Sequence, residues 1–151
     1  MLNPKRRLRS SSDEHYIINL CDRVLARKAS RQHRFDFLLG DPGKSGRCAK
    51  LPVDAYYQDL GLVVEVMERQ HNEPTPLFDR RMTVSGITRG EQRKLSDARR
   101  AKVLESHKIK LIRVDIRRFV LKSKRRLVRN VEQDEQVVRE LLIRFLPRVS
   151  G

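Results

Sequence analysis

Tryptophan is absent from this chain, and aromatic residues make up only 5% of its 151 positions. With so few large rings the core must rest on aliphatic side chains. A hydrophobic content of 38% leaves room for one sheet and a few helices, not for two domains. Cysteine is equally scarce: Cys21 and Cys48 stand apart, neither in a Cys-x-x-Cys pair, which excludes a disulfide scaffold and favours a reducing compartment. The four histidines add no zinc-finger spacing. No apolar run approaches the roughly 20 residues of a membrane span. The first residues are charged without an apolar stretch, so no secretory signal is expected and a cytoplasmic location is.

Negative charge is also short. Lys and Arg number 34 against 19 acidic residues, a net charge of +15. A surplus of that size repels itself unless a polyanion offsets it, and nucleic acid rewards each cation through counterion release. Most of the cations are arginines, whose planar fork suits phosphate.

The chain divides into a basic tail over residues 1–11, expected to be flexible, and a single domain over 12–151 with no internal repeat or linker. Ile17, Ile18, Cys21, Val24 and Leu25 recur at helical spacing, predicting a first helix from Ser11 or Ser12 to about Lys28. Residues 34–39 alternate as a strand, and Asp41–Gly46 is dense in turn residues. Strands over about 51–57 and 62–67 follow, the latter (Leu-Val-Val-Glu-Val-Met) the strongest in the chain. Short turns between the three predict an antiparallel meander. Residues 69–89 read as a long loop, usually a functional feature in a small domain. A helix is predicted over about 91–106 with Leu95, Ala98, Ala101 and Leu104 inward, then a strand over 110–115. A basic connector over 122–129 and a last helix over about 132–146 complete the order.

Glu65 lies in the middle of the strongest strand, where a carboxylate is costly unless it is near water, paired or metal-bound. Asp54 sits on the preceding strand, so a hairpin of 51–57 with 62–68 brings the two together near one sheet end. Two hard oxygen ligands with open positions suit Mg²⁺, with waters and substrate phosphate completing the octahedron. Such an ion activates water and stabilises charge developing on a phosphodiester. The plain alternative is an exposed acidic pair on a solvated strand face.

Pro52-Val53-Asp54, ten intervening residues and Glu65-Val66-Met67 resemble the PD-(D/E)xK nuclease motif. The predicted αβββαβ order is similar to the restriction-endonuclease-like core of that superfamily, which includes very-short-patch repair endonucleases, small type II restriction endonucleases and junction resolvases. The likeness spans roughly residues 12–118. It implies a central mixed sheet flanked by helices, with an extra C-terminal helix. It implies a Mg²⁺-dependent (or Mn²⁺-dependent) endonuclease acting on duplex DNA, and hence nucleoid-associated, through a metal-activated water. Asp54, Glu65 and the carbonyl of Val66 would be metal ligands, and a homodimer would serve cutting of both strands. The departure is Met67, which stands where the family has lysine. Gln70 and Lys94 are the leading substitutes for that cation, with Arg69, His71 and Arg93 behind them. If none serves, the chain is a non-catalytic nucleic-acid-binding domain on the same fold. A basic RNA-associated protein with structural carboxylates is a third reading.

Three further residues have two readings each. Glu68 is a loop residue, or a further ligand if a bulge turns it back. His71 is loop, or a proton carrier. Glu14 is the partner of Ser11 in a capping box, or a first-helix carboxylate approaching the metal site, as in related nucleases. Arg69, Arg80, Arg81, Arg89, Arg93, Arg99 and Arg100 are the expected DNA contacts. Gly43-Lys44-Ser45 imitates the end of a phosphate-binding loop, but Leu38 occupies the leading glycine position and no helix follows.

Overall fold

A computed structural model of the protein describes residues 12–68, 89–123 and 126–147. Helix α1 (Asp13–Leu25) starts where Ser12 accepts the His15 N–H at 3.0 Å. It stops at Ala26, whose left-handed backbone (φ 53°) turns its N–H onto Arg23 O. Three antiparallel strands follow: β1 (Ser30–Pro42), β2 (Cys48–Tyr57) and β3 (Leu62–Met67). Helix α2 (Arg89–Ser106) leads to β4 (Lys110–Asp115), which pairs with β3 in parallel and completes a four-stranded sheet in the order β1-β2-β3-β4. The meander, the mixed sheet and the αβββαβ order are those predicted.

Residues Leu62 to Val66 are all buried because both faces of β3 are covered. Leu62, Val64 and Val66 join Ile17, Cys21 and Val24 of α1 in the larger core. Val63, on the other face, packs with Val53, Phe35, Leu38 and Leu104 of α2. A strand clad on both faces reads as a continuous apolar run, which is why this segment is the clearest in the sequence.

Several boundaries differ from expectation. Strand β1 runs past the apolar run 34–39 at both ends, since its polar ends are held by pairing with β2 (Ser30↔Tyr56, Pro42↔Cys48) and not by burial. In α2, Leu104 is buried but Leu95 is 52% exposed and Ala98 is exposed, so only the last turns of the helix rest on the sheet. The basic connector contains a small antiparallel ribbon, β5 (Leu121–Ser123) with β6 (Arg126–Leu127). The last helix, α3 (Val131–Leu141), is capped by Asn130 accepting the Gln133 N–H and gives way to a 3₁₀ turn at Ile143–Phe145. Val138 and Leu142 enter the α1 side of the core.

Candidate functional site

The β2–β3 ladder pairs Tyr57 with Leu62, Tyr56 with Val63 and Ala55 with Val64. The next pair in that register would be Asp54 with Glu65. There the main-chain ladder ends, and the Asp54 side chain takes over: its Oδ2 accepts the Val66 N–H at 2.8 Å. The strand changes character at this point. Strict alternation would put Val53 on the face of Ala55 and Tyr57, yet Val53 packs in the α2-side cluster and the other two in the α1-side core. On β1, between the pairs Arg31↔Ala55 and His33↔Val53, Gln32 adopts φ 50°. Strand β2 thus departs from regular alternation around Asp54, while β1 beside it keeps its register through the left-handed Gln32.

Glu65 is 6% exposed and lies on the α2 face. Burial pushes its carboxyl above the usual range. The nearby Arg100 pulls it back, and the negative charge of Asp54 pushes it up further. Arg100 Nε stands 3.9 Å from Glu65 Oε1, an ion pair without a hydrogen bond, and neither atom has a hydrogen-bond partner among the described residues. Arg100 Nη1 donates to Asp97 Oδ1 at 3.0 Å, and Arg113, opposite Glu65 on β4, donates to the Asp97 carbonyl at 2.9 Å.

Across the sheet, Asp54 lines a cleft of about 240 Å³ with Ser12, Glu14, His15, Ile18, Arg31 and Gln32. The helix cap is Ser12 with the His15 N–H, and Ser11, the expected capping-box partner of Glu14, lies outside the described residues. Glu14 Oε1 accepts from Gln32 Nε2 at 2.9 Å. Arg31 binds His15 Nδ1 at 2.9 Å, Asn19 Oδ1 at 2.6 Å and Asp22 Oδ2 at 2.9 Å, fastening α1 to β1 beside the cleft. Asp54 is therefore the shared member of two groups, with Glu65 on one face and Glu14 on the other. Among the described residues no three His, Cys, Asp or Glu side chains form a metal-holding cluster.

Glu68 is exposed beyond the end of β3, and Lys94 is exposed on α2, where Arg93 is half-buried. Arg99 braces the β1–β2 hairpin, donating to Asp41 Oδ1 at 2.6 Å and to Leu39 O at 3.3 Å. Arg100, expected at a DNA surface, is turned inward because Glu65 and Asp97 draw its guanidinium. Arg69, Gln70, His71, Arg80 and Arg81 lie outside the described residues, as does the Arg89 side chain. Gln32, Asp97 and Arg113 were not anticipated. The nearest sequence signal is the Asp97–Arg100 spacing, an ion pair one helical turn apart.

No family model matches the chain, and no curated protein does. Among solved structures it is similar to the 5-hydroxymethylcytosine-specific restriction enzyme AbaSI, at 19% identity and a TM-score of 0.39 over 93% of this chain. The chain spans 45% of the length of that enzyme, and so low a score says nothing of shared chemistry.

Proposed function

We propose that this protein is a metal-dependent nuclease that hydrolyses DNA phosphodiester bonds. The observation that carries the reading is the adjacency of Asp54 and Glu65 just past the end of the β2–β3 ladder, close enough for the Asp54 charge to act on Glu65, with Glu65 Oε1 buried and without a hydrogen-bond partner among the described residues. A buried carboxylate atom left in this state, beside a second carboxylate, is a chemical fit for a divalent cation. Mg²⁺ or Mn²⁺ is suited to one or two carboxylates plus waters and phosphate, so the lack of a third acidic ligand among the described residues does not conflict. Asp54 and Glu65, with the Val66 carbonyl, would hold the ion. When bound, it would supply an acidified water and an offset for charge developing on the phosphodiester.

The chain's own residues contribute position and charge. The Val66 N–H fixes the Asp54 carboxylate. Glu14, which lines the same cleft as Asp54, would be the acceptor of a proton from a water there. The net charge of +15 supports a polyanionic substrate, and duplex DNA is the form the motif suggests.

Purified protein with supercoiled plasmid and Mg²⁺ or Mn²⁺ is expected to nick or linearise it. Asp54→Asn and Glu65→Gln should each lower the rate on the order of 100-fold or more, the scale of losing one partner of transition-state charge. Undiminished cutting by both folded variants would overturn the assignment. Met67 favours a second reading, a binding domain without catalysis, because it places no cation beside Glu65 on β3. That reading gives salt-sensitive, metal-independent DNA binding and no cleavage with any divalent ion.

A further inference from the structure

Glu65 and Arg100 face each other across a gap that neither closes. The two facing atoms are both buried and 3.9 Å apart, and neither has a hydrogen bond among the described residues. A buried ion pair offsets its desolvation only when hydrogen bonds complete it. What keeps this pair open is the hold on the far end of the guanidinium, where Nη1 is bonded to Asp97 Oδ1 one turn earlier on α2. Asp97 is itself anchored, since its carbonyl accepts from Arg113 on β4, the residue in register with Glu65. Helix α2 therefore presents a positive charge to Glu65 at a distance too long for a bond and short enough for strong attraction. Asp54, held by Val66, adds negative charge near Glu65.

A cation fixed about 4 Å from a carboxylate in partly desolvated surroundings interacts strongly with it, and would repel a divalent ion arriving at the same oxygen. We propose that Arg100 is a built-in counter-ion that competes with the divalent cation for Glu65. It balances the Asp54–Glu65 pair in the metal-free protein and sets the metal concentration at which the site loads. The proposal rests on the metal-dependent reading above. It makes Arg100 a positioning residue for charge: it acts on the metal through Glu65, and its removal has a signature opposite to that of a structural brace.

The test is calorimetric titration of the full chain with Mn²⁺ in the absence of DNA, comparing wild type with Arg100→Gln and Arg100→Lys. Arg100→Gln should bind Mn²⁺ about tenfold more tightly or better, because one repelling charge is gone. Arg100→Lys, which keeps the charge, should stay close to wild type. Circular dichroism melts establish that each variant is folded. If Arg100→Gln does not fold, Arg100→Met fills similar space without charge and should show the same tightening. Unchanged or weaker Mn²⁺ binding by the folded, uncharged variant overturns the competition while leaving the metal site standing. A wild type that binds no Mn²⁺ overturns the metal-dependent reading and this inference with it.

Discussion

Two carboxylates are buried among the described residues, and the molecule treats them differently. Asp134 Oδ2 accepts the Tyr16 hydroxyl at 2.5 Å and the Asn130 N–H at 2.9 Å, so its charge is spread over two donors. Glu65 Oε1 has no such donor among the described residues, and its nearest cation stops short. The first arrangement is what a structural carboxylate needs; the second is what the proposed role of Glu65 as an exchangeable ligand would need. His15 shows the same logic with a titratable ring. Arg31 has only donors, so the His15 Nδ1 it contacts must be the unprotonated acceptor. Burial, and then the Arg31 charge, hold the ring below its usual 6.5. Between that lowered value and 6.5 the folded protein binds fewer protons than the unfolded chain. Stability is therefore fully present above 6.5 and is lost as pH falls through the folded-state value. Thermal melts over a pH series should show wild type losing more stability on acidification in this window than His15→Gln. Parallel curves for the two would remove His15 from the pH response.

At the scale of elements, α1 fastens the molecule together. Its apolar face packs on β3, and its amino-terminal turns grip the carboxy-terminal segment. Asp13 accepts from the Leu127 N–H at 3.1 Å and from Arg129 Nη2 at 3.1 Å, and the Arg129 guanidinium lies 4.8 Å from the centre of the Tyr16 ring. Tyr16 then reaches Asp134 of α3. Burial and the Asp134 carboxylate push the Tyr16 hydroxyl up, so it remains a donor at neutral pH. Tyr16→Phe keeps the ring and leaves Asp134 with one donor fewer. It is expected to lower stability by about 1–3 kcal/mol, the range for an unsatisfied buried polar group. Urea unfolding measures this, and a midpoint equal to wild type would show that the α1–α3 contact does not depend on the hydrogen bond. The docking of the C-terminal segment has little local signal. Periodicity marks the last helix, but the ribbon β5–β6 has only Leu121 and Leu127 to announce it among basic residues. Helix α2 is a similar case, since its apolar residues have helical spacing while Leu95 stays exposed.

For the molecule as a whole, the charge sets the terms of association. Arg31, Arg99, Arg100 and Arg113 are engaged in internal contacts, so a net charge of +15 does not translate directly into phosphate contacts. Exposed cations remain, Lys44, Arg47 and Lys94 among them, and the proposed binding to duplex DNA would be strongly electrostatic. The logarithm of the binding constant should fall linearly with that of salt concentration, with a slope of about −3 or steeper, which is roughly a 60-fold loss over a fourfold rise in salt. Fluorescence anisotropy in Ca²⁺ reads the slope, and a salt-independent affinity would exclude phosphate-driven binding.

The sequence by itself determined the order of elements, because helical and strand periodicities are local properties of burial. It also determined that Asp54 and Glu65 lie on neighbouring antiparallel strands, since the short turn through Gly61 fixes the hairpin register. The tertiary structure decided what surrounds them. Glu14 comes to Asp54 on one face and Arg100 comes to Glu65 on the other because α1 and α2 pack on opposite sides of the sheet. The inward turn of Arg100 follows from Glu65 on β3 and from Asp97 one turn earlier on α2. Contacts between residues far apart in the chain depend on packing between elements, and no repeat of 3.6 or 2 residues encodes them.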